Sequence, residues 1–366
     1  MLPESWLITI FSEKNNFSNQ NCFPSAGYFN LTHGSSHTRT YRSNSLTSFA
    51  KKETFRAAIF TGFVSAILAD LDIFLFSASD PLLNLELHRQ FTHSLIFIPI
   101  GALLAAALVW WFVKKYLTLK ETYFYSLSGY ATAGITDYFT SYGVHLLWPF
   151  VDERFSLNII SVFDPFFTLG IIVITGLAFY KREKLFSWMG FGWIALYLTF
   201  GFSQKQKAIN IAEHLAKEND HSIERIEVKP TIANQLVWSV RYESQDSLYA
   251  YGIHLSPFSK PIIYTGETAP LLNWKDEFSS FEGTTLYDDL YRFSKLSDGF
   301  LIRHPDHENV IGDGRYSMLP TTLAPLWGIE IDTTRPNQHV EFGTYRDANP
   351  EVRQAFMDML FGRDLH

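Results

Sequence analysis

Long apolar segments separated by short charged stretches occupy residues 55–202, and this pattern predicts membrane-spanning helices. A helix needs roughly 20 apolar residues to cross a bilayer. Five segments meet or approach that length: Phe55–Phe76, Leu95–Val113, Tyr123–Phe139, Phe163–Tyr180 and Phe186–Phe202. The third is rich in small and hydroxyl residues, which favour a helix packed inside a bundle over one that faces lipid.

After Gly201 the apolar runs become short, as in a soluble domain. Gln204–His221 has the pattern of an amphipathic helix leaving the membrane, whereas Leu236–Tyr242 and Leu248–Leu255 alternate as β-strands do. The remaining predicted elements are helices at Phe281–Phe293 and Glu351–Leu360 and strands at Gly299–Arg303 and Leu326–Ile331. This mixture predicts an α+β domain.

Residues 1–50 are rich in Ser, Asn, Thr and Gly and have neither a helical nor a strand period. We therefore expect a poorly ordered N-terminal leader there. It is not a typical signal peptide, because Glu4 stands where a signal peptide has a basic start. The predicted fold is therefore a multi-span α-helical membrane domain with five spans at residues 51–202. A soluble α+β domain follows at residues 203–366.

Basic residues cluster at alternate ends of the predicted spans. They are Lys51, Lys52 and Arg56 before the first span, Lys114, Lys115 and Lys120 between the second and third, and Lys181, Arg182 and Lys184 between the fourth and fifth. The intervening loops contain only two basic residues, Arg89 and Arg154. Because positively charged loops stay in the cytoplasm, we expect the N-terminus inside and the C-terminal domain outside.

The composition excludes some classes of function. A net charge of −7, without a basic cluster interleaved with aromatic residues, argues against nucleic-acid binding. The single cysteine, Cys22, excludes an internal disulfide framework and a thiolate metal site. Any metal would therefore be held by carboxylates and imidazoles.

Five such groups lie at the predicted outer ends of three spans. Asp70 and Asp72 close the first span, His88 and His93 precede the second, and Asp137 is the only acid of the third. Carboxylates and imidazoles are preferred ligands of divalent metals, and ionisable groups in a membrane usually have a partner or a role. The pattern predicts that all five converge on one metal site. The alternative for the aspartate pair is a helix end with solvated acids.

Spacing constrains how these residues are arranged. Asp70 and Asp72 cannot share one helix face, so either the first helix ends at this pair or both residues lie in the loop. His88 and His93 are separated by about 140° around a helix. We therefore expect His88 in the loop and His93 in the first turn of the second span, with Thr92 or Ser94 near its cap.

Arg89 adds a fixed positive charge to this group. Its guanidinium binds phosphate or carboxylate in a bidentate manner, and a helix N-terminus also attracts anions. Metal, arginine and helix terminus together favour an anionic ester as substrate, most simply a phosphoester. The alternative for Arg89 is an anchor for lipid headgroups.

Other polar residues have simpler explanations. Asp164 before Pro165 has the pattern of a helix cap followed by the first helical position. His304–His307 and Asp313–Tyr316 are expected to be solvated loops. The sequence has no Gly-x-Ser-x-Gly motif, no phosphate-binding loop and no dinucleotide-binding glycine pattern.

The segment from Ser45 to Phe202 resembles the YdjM-like family of bacterial inner-membrane proteins. The resemblance rests on Asp70–Asp72, His88–Ser94, Asp137 with Thr140–Gly143, Leu146–Phe150, and Ile160–Leu169. Asp313–Tyr316 and Leu326-Trp327 are similar to an outer domain found in one branch of that family. The resemblance implies metal-dependent hydrolysis at a small helical site, with zinc as the metal, distantly similar to zinc phospholipase C and P1-type nucleases.

Two features depart from the family pattern. The family usually has a His four residues before the acid of the third span, where this chain has Ala133. His145 is a possible substitute for this ligand. In addition, much of the Thr-containing helix that normally precedes the first span is missing. The resemblance therefore leaves an inactive relative open.

Our leading hypothesis is a multi-pass inner-membrane hydrolase with an outward-facing site. Asp70, Asp72, His88, His93 and Asp137 would bind zinc, Arg89 would neutralise developing charge, and Asp70 or Asp72 would accept a proton. The substrate would be a lipid or another small amphiphilic molecule from the outer leaflet. The alternatives are a degenerate metal-binding scaffold that recruits a partner and a transporter that uses the acids as an ion site.

Overall fold

The computed structural model describes residues 54–365, so the predicted leader at residues 1–50 lies outside the described part. Its first half is helical: α1 (Phe55–Ala69), α2 (Pro81–Leu87), α3 (Ile98–Val113), α4 (Leu119–Phe139), α5 (Pro165–Lys181) and α6 (Lys184–Glu218). Helices α1 and α3–α6 occupy the five predicted spans, and α2 lies in the loop between the first two of them.

Two helical segments are long and apolar enough to cross a membrane by themselves, namely Phe55–Phe74 and α6. Residues Pro81–His93 and α3 form a pair bent by 83° that makes a third candidate if it is counted as one span. Helix α5 is apolar but shorter. The helical half therefore contains two or three candidate spans.

Helix α4 packs closely against both α1 and α3. The Ser65 hydroxyl donates to the Ser126 hydroxyl at 2.9 Å in the buried contact between α1 and α4. A Cβ at Gly129 would lie 2.3 Å from the carbonyl oxygen of Gly62, so this approach requires glycine. The small and hydroxyl residues of α4 thus provide the close packing that the sequence predicts.

The ends of the helices that carry basic residues meet at one end of the bundle. Phe55 packs in a buried cluster with Val113, Tyr125 and Ala178, which come from α1, α3, α4 and α5. The Arg56 guanidinium lies 4.7 Å from the ring centroid of Phe179. Asp70 and Asp137 end α1 and α4 at the other end.

The second half contains two four-stranded antiparallel sheets. The first consists of β1 (Arg225–Pro230), β2 (Val237–Ser244), β3 (Ser247–His254) and β4 (Ile262–Pro270), and the second of β5 (Leu301–His304), β6 (His307–Asp313), β7 (Trp327–Glu330) and β8 (Glu341–Thr344). The accompanying helices are α7 (Trp274–Glu277), α8 (Thr285–Leu296) and α9 (Pro350–Leu360). An α-helical part followed by a domain with both sheets and helices agrees with the predicted order of fold classes.

The predicted fifth span and the predicted amphipathic helix at Gln204–His221 form one helix, α6, of 35 residues. Ala208, Ala212 and Ala216 recur at every fourth position and pack in the core of the first sheet with Trp238 and Val240. No proline interrupts this stretch, so the helix continues from the apolar segment into the C-terminal half.

The two halves interlock through α2. Leu82 is fully buried in the core beneath the second sheet, where it packs with Trp274, Leu290 and Phe293. The Arg292 guanidinium of α8 contacts carboxylates from both halves: Asp80 and Glu86 beside and within α2, and Asp289 on its own helix. The C-terminal half is thereby fixed against the loops around Asp70 and His93.

Candidate metal centre

Helix α1 ends at the aspartate pair, which is one of the two arrangements that the spacing allows. Ala69 is its last residue, and Asp70–Phe74 continue as a 3₁₀ turn. The tighter turn directs the two carboxylates to different neighbours. Asp70 faces the ring of His93, whereas Asp72 is enclosed by the backbone and side chains of residues 88–92.

His93 also lies in a 3₁₀ turn, Phe91–His93, and α3 begins only at Ile98. The predicted cap by Thr92 or Ser94 is therefore wrong, because α3 begins with Pro99 in its first turn and has no side-chain cap. The turn lies close to α4: a Cβ at Gly134 would be 2.7 Å from the His93 carbonyl oxygen. Glycine at this position brings His93 close enough to reach Asp137.

Three of the predicted ligands point at one another. His93 Nε2 is 3.2 Å from Asp70 Oδ1 and 3.3 Å from Asp137 Oδ2. One ligand atom from each residue lies within 4.8 Å of the other two. A tetrahedral zinc site with bonds of about 2.1 Å spaces its ligand atoms about 3.4 Å apart. The two measured distances fit that spacing.

A short hydrogen-bond chain sets the protonation of His93. Thr92 Oγ1 donates to Asp72 Oδ2 at 2.7 Å, so its oxygen is available to accept from His93 Nδ1 at 2.9 Å. A neutral ring with its proton on Nδ1 has a lone pair on Nε2. That lone pair faces the carboxylates of Asp70 and Asp137. The two carboxylates need positive charge beside them. The guanidinium of Arg89 supplies one such charge next to Asp137, and a second proton on the ring or a metal ion would supply another.

Asp72 and His88 form a second pair beside this triad. His88 Nδ1 lies 3.3 Å from Asp72 Oδ1, and Asp72 Oδ2 lies 3.7 Å from His93 Nδ1. Asp72 is therefore on the opposite side of the imidazole from Asp70 and Asp137. Carboxylates in this position commonly orient a metal-binding histidine. Metal ligation by Asp72 and His88 remains a prediction.

Arg89 lies against the acid of α4. Its Nε is 3.2 Å from Asp137 Oδ2, and its side chain is only 11% exposed. Nη1 of Arg89 is buried with no hydrogen-bond partner among the described residues, whereas its Nε forms the ion pair with Asp137. Buried polar atoms normally have partners. Nη1 of Arg89 is therefore placed to donate to an anionic ligand beside Asp137.

The backbone of Arg89 is held in the left-handed region, with φ of 60°. Its N–H donates to Asp72 Oδ2 at 2.7 Å, and its carbonyl oxygen accepts from the N–H of His145 at 3.3 Å. Such a conformation is unfavourable for a side chain other than glycine, asparagine or aspartate and persists where surrounding contacts fix it. Here the contacts direct the guanidinium toward Asp137.

Arg154 supports the loop that carries Arg89. The sequence identifies it only as one of two basic residues in the predicted outer loops. Its Nη2 donates to the carbonyl oxygens of Leu85 and His88, and its Nε donates to His145 Nε2 at 3.1 Å. Burial, together with the positive charge of Arg154, lowers the pKa of His145 to about 4. His145 is thus a neutral acceptor for Arg154, and it does not point at the triad as a substitute ligand would.

Asp313–Tyr316 belong to the surroundings of the centre and are not solvated as predicted. The Tyr316 hydroxyl donates to the Ser141 carbonyl oxygen at 2.6 Å, and its ring stacks on Tyr142 with centroids 5.5 Å apart. Asp313 is 2% exposed and pairs with Arg315 at 2.8 Å. The loop that follows Asp137 is therefore covered by the C-terminal half.

Ala133 stands where the resemblance predicts a histidine. Its side chain is fully buried in an apolar cluster with Ala69, Ile98, Ala102 and Tyr130. In this chain, that position lies on the apolar side of the bundle and contributes no ligand to the triad.

Comparison with known proteins finds a family match for the helical half. Residues 38–208 match the family model described as YdjM inner membrane protein. Comparisons with curated proteins and with solved structures found no significant match.

Proposed function

Residues 38–208 of this chain belong to the YdjM inner membrane protein family, and on that premise we propose that the protein is a membrane-bound, metal-dependent hydrolase of anionic esters. The observation that carries the proposal is the position of His93 Nε2, which lies within 3.3 Å of carboxylate oxygens from both Asp70 and Asp137. Membership in an inner-membrane family and the apolar helices support a membrane location.

The donor set fits a divalent metal of the zinc type. It offers one imidazole nitrogen and two carboxylate oxygens, and three protein ligands leave a coordination position open, as in catalytic zinc sites. When bound, the metal would supply a water of lowered pKa and polarise the ester oxygen. Thr92 and Asp72 would hold the imidazole of His93 in the tautomer that such binding requires.

The remaining groups of the centre have separate roles in the proposed reaction. Arg89, whose buried Nη1 has no hydrogen-bond partner among the described residues, would bind an anionic oxygen of the ester and neutralise charge as it develops. Asp70 would accept the proton of the attacking water, because its side chain is 15% exposed while those of Asp137 and Asp72 are 5% and 0% exposed. Asp72 and His88 would keep the loop around Arg89 in place.

The proposed topology has five spans, with the N-terminus inside and the C-terminal half outside. Basic residues at the inner ends of α1, α3, α4 and α5 support this orientation. Large apolar side chains near the site are exposed, including Leu71, Phe74 and Phe76 after Asp70, and Phe150 in the second outer loop. They favour a lipid-like phosphoester that reaches the site from the outer leaflet.

Metal content of the purified protein tests this proposal. We expect wild type to retain about one zinc per chain after dialysis and Asp137→Asn to lose most of it, because the neutral amide is a weaker ligand. Asp152→Asn is the matched control, since Asp152 is an exposed acid of the outer loop, and it should retain the metal. Hydrolysis of a panel of phosphodiesters and lysophospholipids should fall with metal content.

The second candidate is a degenerate metal-binding scaffold, and the burial of Ala133 in an apolar cluster favours it. A folded wild-type protein that binds zinc but hydrolyses none of the panel would support this alternative. A folded protein that binds no divalent metal, or an Asp137→Asn variant with unchanged metal content, would contradict the metal centre itself.

A further inference from the structure

One edge of the first sheet lies at the level where α6 leaves its apolar segment. Gln204 follows Phe202 by two residues and is 1% exposed. Its Nε2 donates to the carbonyl oxygen of Leu255 at 2.7 Å and also contacts that of Gln235 at 3.4 Å. The loop after β1 and the loop after β3 are therefore tied to the point where the helix emerges from the bilayer.

The strand register places both loops on the same edge. Pro230 pairs with Trp238, and His254 pairs with Val237 and with Ile262, so the β1–β2 and β3–β4 connections lie side by side. We call this edge, formed by residues 231–236 and 255–263, the membrane-proximal edge. The end of α9 joins it, because His254 Nδ1 hydrogen-bonds the Met359 carbonyl oxygen at 2.9 Å.

Exposed apolar side chains concentrate at this edge. Phe258, at the tip of the β3–β4 loop, is 96% exposed, and Phe361, after α9, is 61% exposed. Ile232 and Ile263 on the same edge are also exposed. Tyr291 of α8 is exposed as well, but it lies away from this edge. Large apolar side chains gain free energy when they leave water, so their shared position favours an apolar neighbour.

We propose that the membrane-proximal edge inserts Phe258, with Ile232 and Phe361 beside it, into the interfacial region of the bilayer that α6 crosses. Lipid is the expected neighbour because the edge is continuous with the emerging helix through Gln204. The exposed Lys260 beside Phe258 can place its ammonium among lipid phosphates while its stem remains in the apolar layer. The C-terminal half therefore lies on the membrane surface, and this orientation does not depend on the metal centre.

Site-specific lipid quenching tests the proposal on the full chain. In a Cys22→Ser background, a Phe258→Cys variant carries an environment-sensitive fluorophore and is reconstituted into phosphatidylglycerol–phosphatidylcholine vesicles. Both leaflets contain lipids with a nitroxide high on the acyl chain, so the orientation of insertion does not matter. We expect blue-shifted emission at this position and quenching close to that of a label at Leu196→Cys, which lies on the exposed side of α6.

Glu218→Cys is the matched control, because Glu218 is exposed on the same helix about 21 Å beyond Gln204. Its label should remain water-accessible and unquenched. Quenching of the Phe258 label no stronger than that at Glu218 would overturn the proposal, and so would a blue shift without quenching, since a protein surface would then cover the loop. Because a label can itself partition into lipid, hydrogen exchange of residues 255–263 provides a second measurement. Phe258→Asp should accelerate that exchange in vesicles but not in lipid-free detergent.

Discussion

At the scale of single residues, the hydroxyl of Thr92 connects Asp72 to the imidazole of the triad. Thr92 gives its proton to Asp72 and so accepts from His93 Nδ1. The Nε2 side of the ring is then left facing Asp70 and Asp137. A threonine that the sequence suggests as a helix cap is thus the group that prepares the imidazole for a cation.

A pH effect on stability is expected from Lys229. Its side chain is 6% exposed, and its Nζ lies 3.1 Å from the centroid of the Tyr316 ring without a hydrogen-bond partner among the described residues. Burial, together with the charge of Arg315, lowers the Lys229 pKa from 10.5 to about 7. The folded state thus binds this proton less tightly than the unfolded state. Protonation destabilises the protein fully below about pH 7, and the penalty disappears as the pH rises toward 10.5.

Lys229→Met should therefore raise the unfolding temperature by a few degrees at pH 7, and the difference from wild type should shrink as the pH approaches 10. Thermal unfolding in detergent across pH 6–10 measures this difference. Lys275→Met, at an exposed lysine, is the control and should leave the profile unchanged. A variant less stable than wild type at pH 7 would show that the ring contact outweighs burial of the charge.

Residue types and spacing locate most of the centre but not the division of roles within it. Asp70, His93 and Asp137 could be identified because ionisable residues near three span ends are conspicuous among apolar neighbours. The separate position of Asp72 could not, since it depends on a 3₁₀ turn that no residue pattern specifies. Arg154 and Tyr316 were not identified as part of the centre, because their contacts join segments far apart in the chain.

At the scale of elements, the ends of helices follow local chemistry where a cap is present. Asp164 before Pro165 predicts the start of α5, and the structure confirms it. Oδ1 of Asp164 accepts from the N–H groups of Phe166 at 3.1 Å and Phe167 at 3.0 Å. Its Oδ2 also accepts from the Tyr197 hydroxyl at 2.5 Å, which ties the start of α5 to α6. The cap therefore also connects two helices.

Asp164→Ala should lower stability by about 2–4 kcal/mol, because it removes a helix cap and leaves the buried Tyr197 hydroxyl without its acceptor. Chemical unfolding in mixed micelles measures the change. Thr118→Ala removes the exposed cap of α4 and should lower stability by only about 1 kcal/mol. Equal losses in the two variants would show that the contact with Tyr197 adds nothing.

Helix ends are predicted less well from the sequence where local signals conflict. The change from apolar to polar residues at Phe202 suggests a break, but backbone hydrogen bonding continues through Gly201 to Glu218. Gly201 serves a different purpose: a Cβ there would lie 2.2 Å from the Ile159 carbonyl oxygen. A glycine that permits close packing cannot be distinguished by sequence from one that ends a helix.

At the scale of the whole molecule, Arg292 connects the two halves. Its guanidinium contacts Asp80 at 3.0 Å, Glu86 at 2.8 Å and Asp289 at 2.8 Å, and its side chain is 20% exposed. Three carboxylates around one cation repel one another when it is removed. The attachment of α2 to α8 therefore depends on this residue.

Arg292→Met should destabilise the protein on the order of 2–3 kcal/mol, somewhat below the loss for a fully buried pair. It should also expose the 77–90 loop to limited proteolysis. Arg303→Met, which removes an exposed pair with Glu277, should change stability by less than about 1 kcal/mol. Unchanged proteolysis in Arg292→Met would indicate that apolar contacts of Leu82 suffice to hold α2.

The burial of Leu82 beneath the second sheet also constrains how the chain can mature. Leu82 completes the core around Trp274, Leu290 and Phe293, although it is synthesised about two hundred residues before them. In the proposed topology, Leu82 also crosses the bilayer before these three residues do. A fragment beginning after α6 would lack Leu82, would leave an apolar cavity in this core, and would be prone to aggregate. In the proposed topology, folding of the C-terminal half is therefore coupled to correct insertion of the first two predicted spans.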